Sequence, residues 1–197
     1  MTDVWLRKKT KSQPQNISDL NNLRRTYGRL NRYDYAIEIY RKALRVYPGY
    51  VDSLENLGST YSDLKRYDYA IEAYRQLVRI NPEDAETWYR LGVSLFRLKR
   101  YDNAINAYRE AIRIYPDYAR AWNNLGVSLL KLKSYDEAIE AFRKAVRINP
   151  KHIYAWNDLG HIYVLNGNKA AAMDVVRKLR RLDPARADKL FNLIMPR

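Results

Sequence analysis

The side chains best suited to chemistry in this sequence are two histidines and one aspartate near its C-terminal end. His161 follows Asp158 by three residues, so the two share one face of a helix, and His152 precedes Asp158 by six residues. A carboxylate and an imidazole are groups that bind a metal ion or exchange a proton. One such pair supplies too few ligands for an ordinary metal site, and the chain has no cysteine. We interpret these residues as polar groups on the rim of a binding surface, and we expect no enzyme activity, no metal and no cofactor.

Any site in this chain must be positioned by a repeated pair of elements. Five prolines, from Pro48 to Pro184, follow one another at intervals of 34 residues. A repeat with this period builds an array of stacked supersecondary units. Counting back from the prolines gives repeats 1 to 5, at residues 17–50, 51–84, 85–118, 119–152 and 153–186.

Residues at fixed positions of the repeat predict two amphipathic helices in each. Position 7 is leucine and position 20 is alanine in all five repeats, and position 8 is glycine in four. Spacings of three and four residues put positions 4, 7 and 11 on one face of a first helix, and positions 20, 24, 27 and 28 on one face of a second. Small residues at positions 8 and 20 let the paired helices approach closely, so that the large residues at positions 4 and 24 interlock.

The ends of the second helix have sequence signals of their own. Proline at position 32 predicts that the helix stops there, because proline cannot continue it. Aspartate at position 18 predicts an N-cap, because its carboxylate accepts hydrogen bonds from the first free backbone N–H groups. The aspartates concerned are Asp34, Asp68, Asp102 and Asp136.

The pattern of Trp at position 4, Leu at 7, Gly at 8, Ala at 20, Tyr or Phe at 24 and Pro at 32 resembles the tetratricopeptide repeat, or TPR. The resemblance covers residues 17–186, and in size and layout the chain is similar to small bacterial TPR scaffolds. It implies an all-α fold, a right-handed α-solenoid of antiparallel helix pairs. Residues 1–16 are then a basic N-terminal extension. Residues 187–197 are a C-terminal capping helix, with Leu190 and Leu193 at positions 4 and 7 of an incomplete sixth repeat.

The resemblance also implies a function, which is to bind a peptide segment of another protein on a concave surface lined by first-helix positions 2, 5, 6, 9, 12 and 13. Asparagines at position 6 have amides suited to bonding an extended peptide backbone. In repeats 3 to 5 these positions form an apolar strip edged by basic groups and amides, although position 12 residues have an alternative role in packing between first helices. The expected peptide-binding residues are Asn22, Arg25, Asn56, Tyr89, Arg90, Val93, Phe96, Arg97, Arg120, Asn123, Asn124, Val127, Lys131, Tyr154, Asn157, Asp158 and His161.

Charge gives a second hypothesis about partners. The chain has a formal net charge of +14, and positions 25 and 29 are arginine in every repeat, which makes a ladder of ten arginines on the second helices. Such a ladder is suited to nucleic acid or an anionic membrane surface, but arginine on an exposed helix face is also an ordinary solvated residue. We therefore expect a protein or peptide partner first, with a second copy of the chain as another partner, and nucleic acid or a membrane surface as the alternative. No stretch has the ~20 apolar residues of a membrane span, so we expect a cytoplasmic protein, with peripheral membrane attachment as the alternative.

Overall fold

The computed structural model describes residues 33–195 of the chain. These residues contain ten α-helices and no strand, and the predicted all-α fold is confirmed. The first helix of repeat 1, with the expected site residues Asn22 and Arg25, lies outside the described residues, as does the N-terminal extension. The helices are α1 (Tyr33–Val46), α2 (Val51–Asp63), α3 (Tyr67–Ile80), α4 (Ala85–Arg97), α5 (Tyr101–Ile114), α6 (Ala119–Lys131), α7 (Tyr135–Ile148), α8 (Ile153–Leu165), α9 (Lys169–Leu179) and α10 (Pro184–Ile194).

The chain divides into two compact units between Glu83 and Asp84, at the end of repeat 2. The described part of the first compact unit holds α1 to α3, in which α2 packs against both α1 and α3. The second compact unit holds α4 to α10, and each of these helices packs against the next one in the chain. Helix α10 packs against α8 as well as α9, and its Leu190 is buried whereas Leu193 is exposed. Among the helices of residues 33–195, none is long and apolar enough to cross a membrane.

The glycine at position 8 fits the helix pair in the way that its spacing predicts. A Cβ atom placed on Gly92 would lie 2.6 Å from the ring of Tyr108, the position 24 residue of the same repeat. The same would occur at Gly126, where Phe142 lies 2.7 Å away. Both aromatic rings are almost completely buried. The large residue at position 24 therefore occupies the space that glycine leaves free.

The prediction that the position 18 aspartates are N-caps is wrong. Helices α3, α5 and α7 begin one residue earlier, at a tyrosine, so Asp68, Asp102 and Asp136 lie in the first turn. The cap residues before them make no side-chain cap hydrogen bond. A carboxylate in the first turn still interacts favourably with the positive end of the helix dipole.

The turn between the two helices of a repeat explains this early start. Lys65, Lys99 and Lys133 have positive φ angles of 59°, 60° and 63°, and Gly167 takes the same place in repeat 5 with a φ of 72°. In repeat 3, the N–H of Arg100 bonds to the carbonyl oxygen five residues back, at 3.0 Å. This Schellman arrangement ends one helix and starts the next within three residues.

The prolines at position 32 divide into two groups. Helices α3, α5 and α7 end two residues before their prolines, as expected, with Asn81, Tyr115 and Asn149 as C-caps. Pro184 instead begins α10, so the prediction that it stops a helix is wrong. The reason is Asp183, whose carboxylate accepts a hydrogen bond from a backbone N–H of the new helix and thereby caps it.

Candidate functional site

The second compact unit carries a charged cluster where α4 and α6 lie side by side. The carboxylate of Glu86 accepts a hydrogen bond from the Arg90 Nε at 2.8 Å, one turn along α4. The same carboxylate contacts Arg120 of α6 at 3.4 Å and accepts a hydrogen bond from the Tyr118 hydroxyl. One acidic group is therefore shared by two arginines and a tyrosine, and it links the starts of the two first helices.

Aromatic rings surround the arginine of this cluster. The ring centroids of Tyr89 and Tyr118 are 5.0 Å apart. The guanidinium of Arg120 lies over both rings, 5.2 Å from the centroid of Tyr89 and 5.4 Å from that of Tyr118. A cation in this position is attracted to the faces of both rings. The rings therefore orient Arg120, although 61% of its side chain remains exposed.

The pKa values in the cluster follow from its hydrogen bonds. Burial by itself raises the pKa of Glu86, but hydrogen bonds from Tyr118 and Arg90 outweigh it and hold this pKa below its usual range. Burial raises the pKa of Tyr118, and its hydrogen bond to Glu86 raises it further. Burial also raises the pKa of Tyr89. Glu86 is therefore an anion and both tyrosines are neutral at physiological pH.

The amides expected to bind a peptide backbone already make contacts within the protein. Asn124 donates to the Tyr89 hydroxyl at 3.2 Å, and the buried Asn56 donates to the carbonyl oxygen of Asp52 at 2.8 Å. Asn123 is buried as well, and its Oδ1 has no hydrogen-bond partner among the described residues. These asparagines thus support the local packing of their helices, a role that the sequence did not reveal.

The histidine and aspartate side chains suited to metal or proton chemistry lie on α8 and at its start. Asp158 is partly buried and accepts a long hydrogen bond of 3.5 Å from Asn157. Burial raises the pKa of Asp158. His152 is the N-cap of α8, and its Nδ1 accepts a hydrogen bond from the N–H of Ala155 at 3.1 Å. Within residues 33–195, no group of three or more histidine, cysteine, aspartate or glutamate side chains is arranged to hold a metal ion.

The remaining expected site residues differ in how accessible they are. Tyr154 is 63% exposed, and the guanidinium of Arg186 lies 4.9 Å from its ring centroid. Phe96 packs on Tyr101 of the next helix, with ring centroids 5.3 Å apart, so it contributes to packing within its own repeat. The half-buried residues are Val93, Phe96, Val127, Asn157 and His161, and the exposed ones are Arg97 and Lys131, which have no acidic partner among the described residues.

Two residues of the charged cluster were absent from the expected site, Glu86 and Tyr118. Tyr118 is the last residue of repeat 3, a position that is not conserved from one repeat to the next in this sequence. Its ring reaches back 32 residues to Glu86, and repeat spacing alone does not show this contact. The only sequence signal was the acidic residue at position 2 of repeat 3, in a region otherwise rich in arginine.

The arginine ladder differs between the two compact units. Each of the ten arginines is exposed. In the second unit, four of them contact a carboxylate, including Arg109 with Glu137 at 3.0 Å and Arg143 with Glu140 at 2.9 Å. In the first unit, no ion pair among the described residues involves a ladder arginine, and these arginines are Arg41, Arg45, Arg75 and Arg79.

Comparison with known proteins identifies the family. Two family models described as tetratricopeptide repeat match the chain, one at residues 25–85, 60–119 and 89–153, and the other at residues 129–191. A crystal structure of MamA is 31% identical, covers 83% of this chain and 95% of its own, and has a TM-score of 0.78. MamA from Desulfovibrio magneticus RS-1 is 21% identical over 88% of this chain and 98% of its own, also with a TM-score of 0.78. The structure of YrrB, a TPR protein with an unusual peptide-binding site, is 20% identical over 94% of this chain and 96% of its own, with a TM-score of 0.76. Comparison with curated protein sequences gave no match. The models match most of the chain, and the chain therefore belongs to the tetratricopeptide repeat family.

Proposed function

We propose that this protein is a non-enzymatic scaffold that binds an acidic segment of a partner protein along α4, α6 and α8, the first helices of repeats 3 to 5. The observation that carries this proposal is an excess of accessible positive charge on the first-helix face, beside partly buried aromatic and aliphatic side chains. Four basic residues lie at its groove positions, whereas only two carboxylates do. The basic residues are Arg90, Arg97, Arg120 and Lys131, and the carboxylates are Glu86 and Asp158.

Arg120 is the residue best prepared to bind a ligand carboxylate. Its ion pair with Glu86 is long, at 3.4 Å, so a carboxylate from a ligand has room to bind the remaining N–H groups of the guanidinium. The rings of Tyr89 and Tyr118 already orient that guanidinium, which reduces the loss of conformational entropy when a ligand binds. Arg97 and Lys131, one on α4 and one on α6, offer further cations with no competing acid among the described residues.

The test selects peptide ligands from a random library, so that no ligand sequence is assumed in advance. Random peptides displayed on phage are selected on the parent protein, and the enriched peptides are synthesised with a fluorescent label. Their affinity is then measured by fluorescence anisotropy for the parent and for the double variant Arg97→Glu, Lys131→Glu. A matched control, Arg147→Glu with Arg181→Glu, changes the net charge by the same amount at two exposed residues, one on α7 and one in the turn after α9.

We expect the selected peptides to be rich in aspartate and glutamate. The variant of α4 and α6 should bind them at least about 10-fold more weakly, because each reversed charge repels the ligand where it previously attracted it. The control variant should bind within about twofold of the parent, since a charge that is remote from the site acts mainly through a screened field. Enrichment of neutral or basic peptides, or equal weakening in both variants, would disprove the proposal.

A further inference from the structure

The first compact unit contains a pocket that the proposed peptide site does not use. Helices α1 and α3, with a contribution from α2, enclose a volume of about 520 Å³. Volumes of this size, within the range of roughly 300 to 1,000 Å³, are typical of small-ligand sites. The pocket is lined mainly by charged groups, which are Asp34, Glu38, Arg41, Lys42, Arg45 and Arg66.

Two arginines of this pocket take no part in its close ion pairs, although the charge of Arg45 also helps to lower the pKa of Glu38. Lys42 binds Glu38 at 2.7 Å, and Arg66 lies 3.6 Å from Asp34. These contacts use both carboxylates of the lining. Arg41 and Arg45, one turn apart on α1, have no ion pair among the described residues. The pocket therefore presents two guanidinium groups, the side chains best suited to bidentate binding of phosphate.

The other wall of the pocket is aromatic. The ring of Tyr69 stacks on the buried ring of Tyr61, with centroids 5.0 Å apart and an angle of 27° between the planes. Tyr69 is nevertheless 56% exposed. A second pocket of about 250 Å³ adjoins the first and shares Arg41, Tyr61 and Tyr69 with it; the rest of its lining is leucines, a proline, an alanine, Glu72 and Gln76. A supported and accessible ring thus lies beside the two arginines and a largely apolar recess.

One place in the second compact unit shows the counterpart of Arg41 with an acidic partner. Arg41 is position 25 of repeat 1 and Tyr69 is position 19 of repeat 2, so their counterparts two repeats later are Arg109 and Glu137. Those two residues form an ion pair at 3.0 Å. Tyrosine at position 19 cannot neutralise the arginine as glutamate does. The first unit therefore lacks at this place the acidic partner that Glu137 provides in repeat 4, whereas Asn103 and Ala171 take the same position in repeats 3 and 5.

We propose that this pocket binds one nucleotide, with the base stacked on Tyr69 and the phosphate held by Arg41 and Arg45. Every base has a π-face that stacks on an exposed aromatic ring, and arginines next to such a ring bind the phosphate. The lining of the first pocket holds four cations and two acids, so its net charge favours a phosphate. A free nucleotide and a nucleotide within single-stranded nucleic acid present the same chemistry to this site.

The experiment tests the base and the phosphate of the ligand separately. It also distinguishes a free nucleotide from a nucleotide within single-stranded nucleic acid. Isothermal titration calorimetry measures binding of AMP, adenosine and inorganic phosphate to the full chain, and fluorescence anisotropy measures binding of a labelled single-stranded oligothymidylate. The variants are Arg41→Gln with Arg45→Gln, and Tyr69→Glu, which should form the ion pair found in the second unit. Arg147→Gln with Arg181→Gln is the matched control, and circular dichroism confirms that each variant is folded.

AMP should bind the parent at least about 10-fold more tightly than adenosine or phosphate alone, because only AMP uses both halves of the pocket. Each pocket variant should lose that advantage, and the control should keep it. Binding of the oligonucleotide but not of AMP, with the same dependence on Arg41 and Tyr69, would support the site and identify nucleic acid as the source. Failure of both probes to bind the parent would overturn the proposal, and so would phosphate binding as tightly as AMP.

Discussion

The indole N–H of Trp122 donates a hydrogen bond to the carbonyl oxygen of Pro116, at a distance of 2.8 Å. Pro116 lies two residues before the end of repeat 3 and Trp122 lies in the first helix of repeat 4, so this bond fixes the turn between the two repeats. Trp156 and Pro150 make the same bond at 2.9 Å one repeat later. Trp122 is only half-buried, so at position 4 of its repeat it both packs against its neighbours and makes this polar contact.

We expect Trp122→Phe to lower the free energy of unfolding by about 1 kcal/mol, since it removes this hydrogen bond and keeps most of the ring. Trp122→Ala should cost about 3 kcal/mol, because it removes the packing as well. Urea unfolding followed by circular dichroism measures both. The exposed Arg113→Ala variant is the control and should change stability by less than about 0.5 kcal/mol. Equal losses in the phenylalanine and control variants would contradict a role for the bond.

Lys99→Gly should stabilise the protein by roughly 0.5 to 1 kcal/mol. Lys99 has a φ of 60°, a conformation that glycine adopts without the steric cost that a Cβ atom imposes. The midpoint of thermal unfolding should therefore rise. The control is Lys151→Gly, at an exposed turn residue without positive φ, where the same substitution should only add entropy to the unfolded chain and lower the midpoint. A lower midpoint in both variants would refute the prediction.

Gly92→Ala should lower the free energy of unfolding by about 2 kcal/mol, because the new methyl group would lie 2.6 Å from the buried ring of Tyr108. Chemical unfolding of a double-mutant cycle tests the cause. In a Tyr108→Ala background the ring is gone, and Gly92→Ala should then cost almost nothing. The contact would not be responsible if the cost of Gly92→Ala were the same in both backgrounds.

Asp158→Asn should raise stability at pH 7, and the gain should disappear as the pH falls below about 4. Burial raises the pKa of Asp158, so the folded protein binds this proton more tightly than the unfolded chain does. At neutral pH the ionised group therefore destabilises the folded state, and asparagine removes that cost. Below the unfolded pKa of about 3.9 the carboxyl is protonated in both states and the difference vanishes. Unfolding free energies measured at pH 7 and pH 3 give the comparison.

Glu86→Gln is the counterpart of Asp158→Asn, and we expect it to change stability at pH 7 in the opposite direction. The folded pKa of Glu86 is depressed, so its contribution to stability is present at pH 7 and is lost as the pH falls through that folded pKa. The glutamine variant should be less stable than the parent at pH 7 and should approach the parent's stability as the pH falls through that folded pKa. If both variants shift stability in the same direction at pH 7, the electrostatic account of this face is wrong.

The parts of the fold that sequence predicted are those that depend on spacing within one repeat. Gly92 and Tyr108 lie in the same 34-residue repeat, and the period of a helix puts them on facing surfaces. The errors came where neighbouring residues change a local signal. Asp102 suggests an N-cap, but Lys99 adopts a positive φ and the helix begins before the aspartate. The residue type of Pro184 predicted the end of a helix, but a helix begins there because Asp183 precedes it as the N-cap.

The candidate site was predicted less completely, because its geometry depends on contacts between repeats. The groove positions placed Tyr89 and Arg120 on the same expected surface, but their cation-π contact at 5.2 Å was not predicted. The expectation that Asn124 is available to a peptide overlooked the Tyr89 hydroxyl, to which its amide donates. Helical spacing reveals which face a residue occupies. It does not reveal which of two polar groups on that face are already bonded to each other.

The contrast between the Arg41 and Arg109 environments bears on how a repeat array diverges after duplication. Residues at positions 7, 8, 20 and 24 maintain the helix pairs, so an exposed residue at position 19 is free to mutate without loss of the fold. Glutamate there, as at Glu137, engages the arginine of the preceding repeat, whereas tyrosine, as at Tyr69, leaves that arginine accessible to solvent. Two point mutations in one codon therefore change a position 19 residue that neutralises the arginine into one that leaves it accessible to a ligand. Each copy of the repeat can make this change independently of the others.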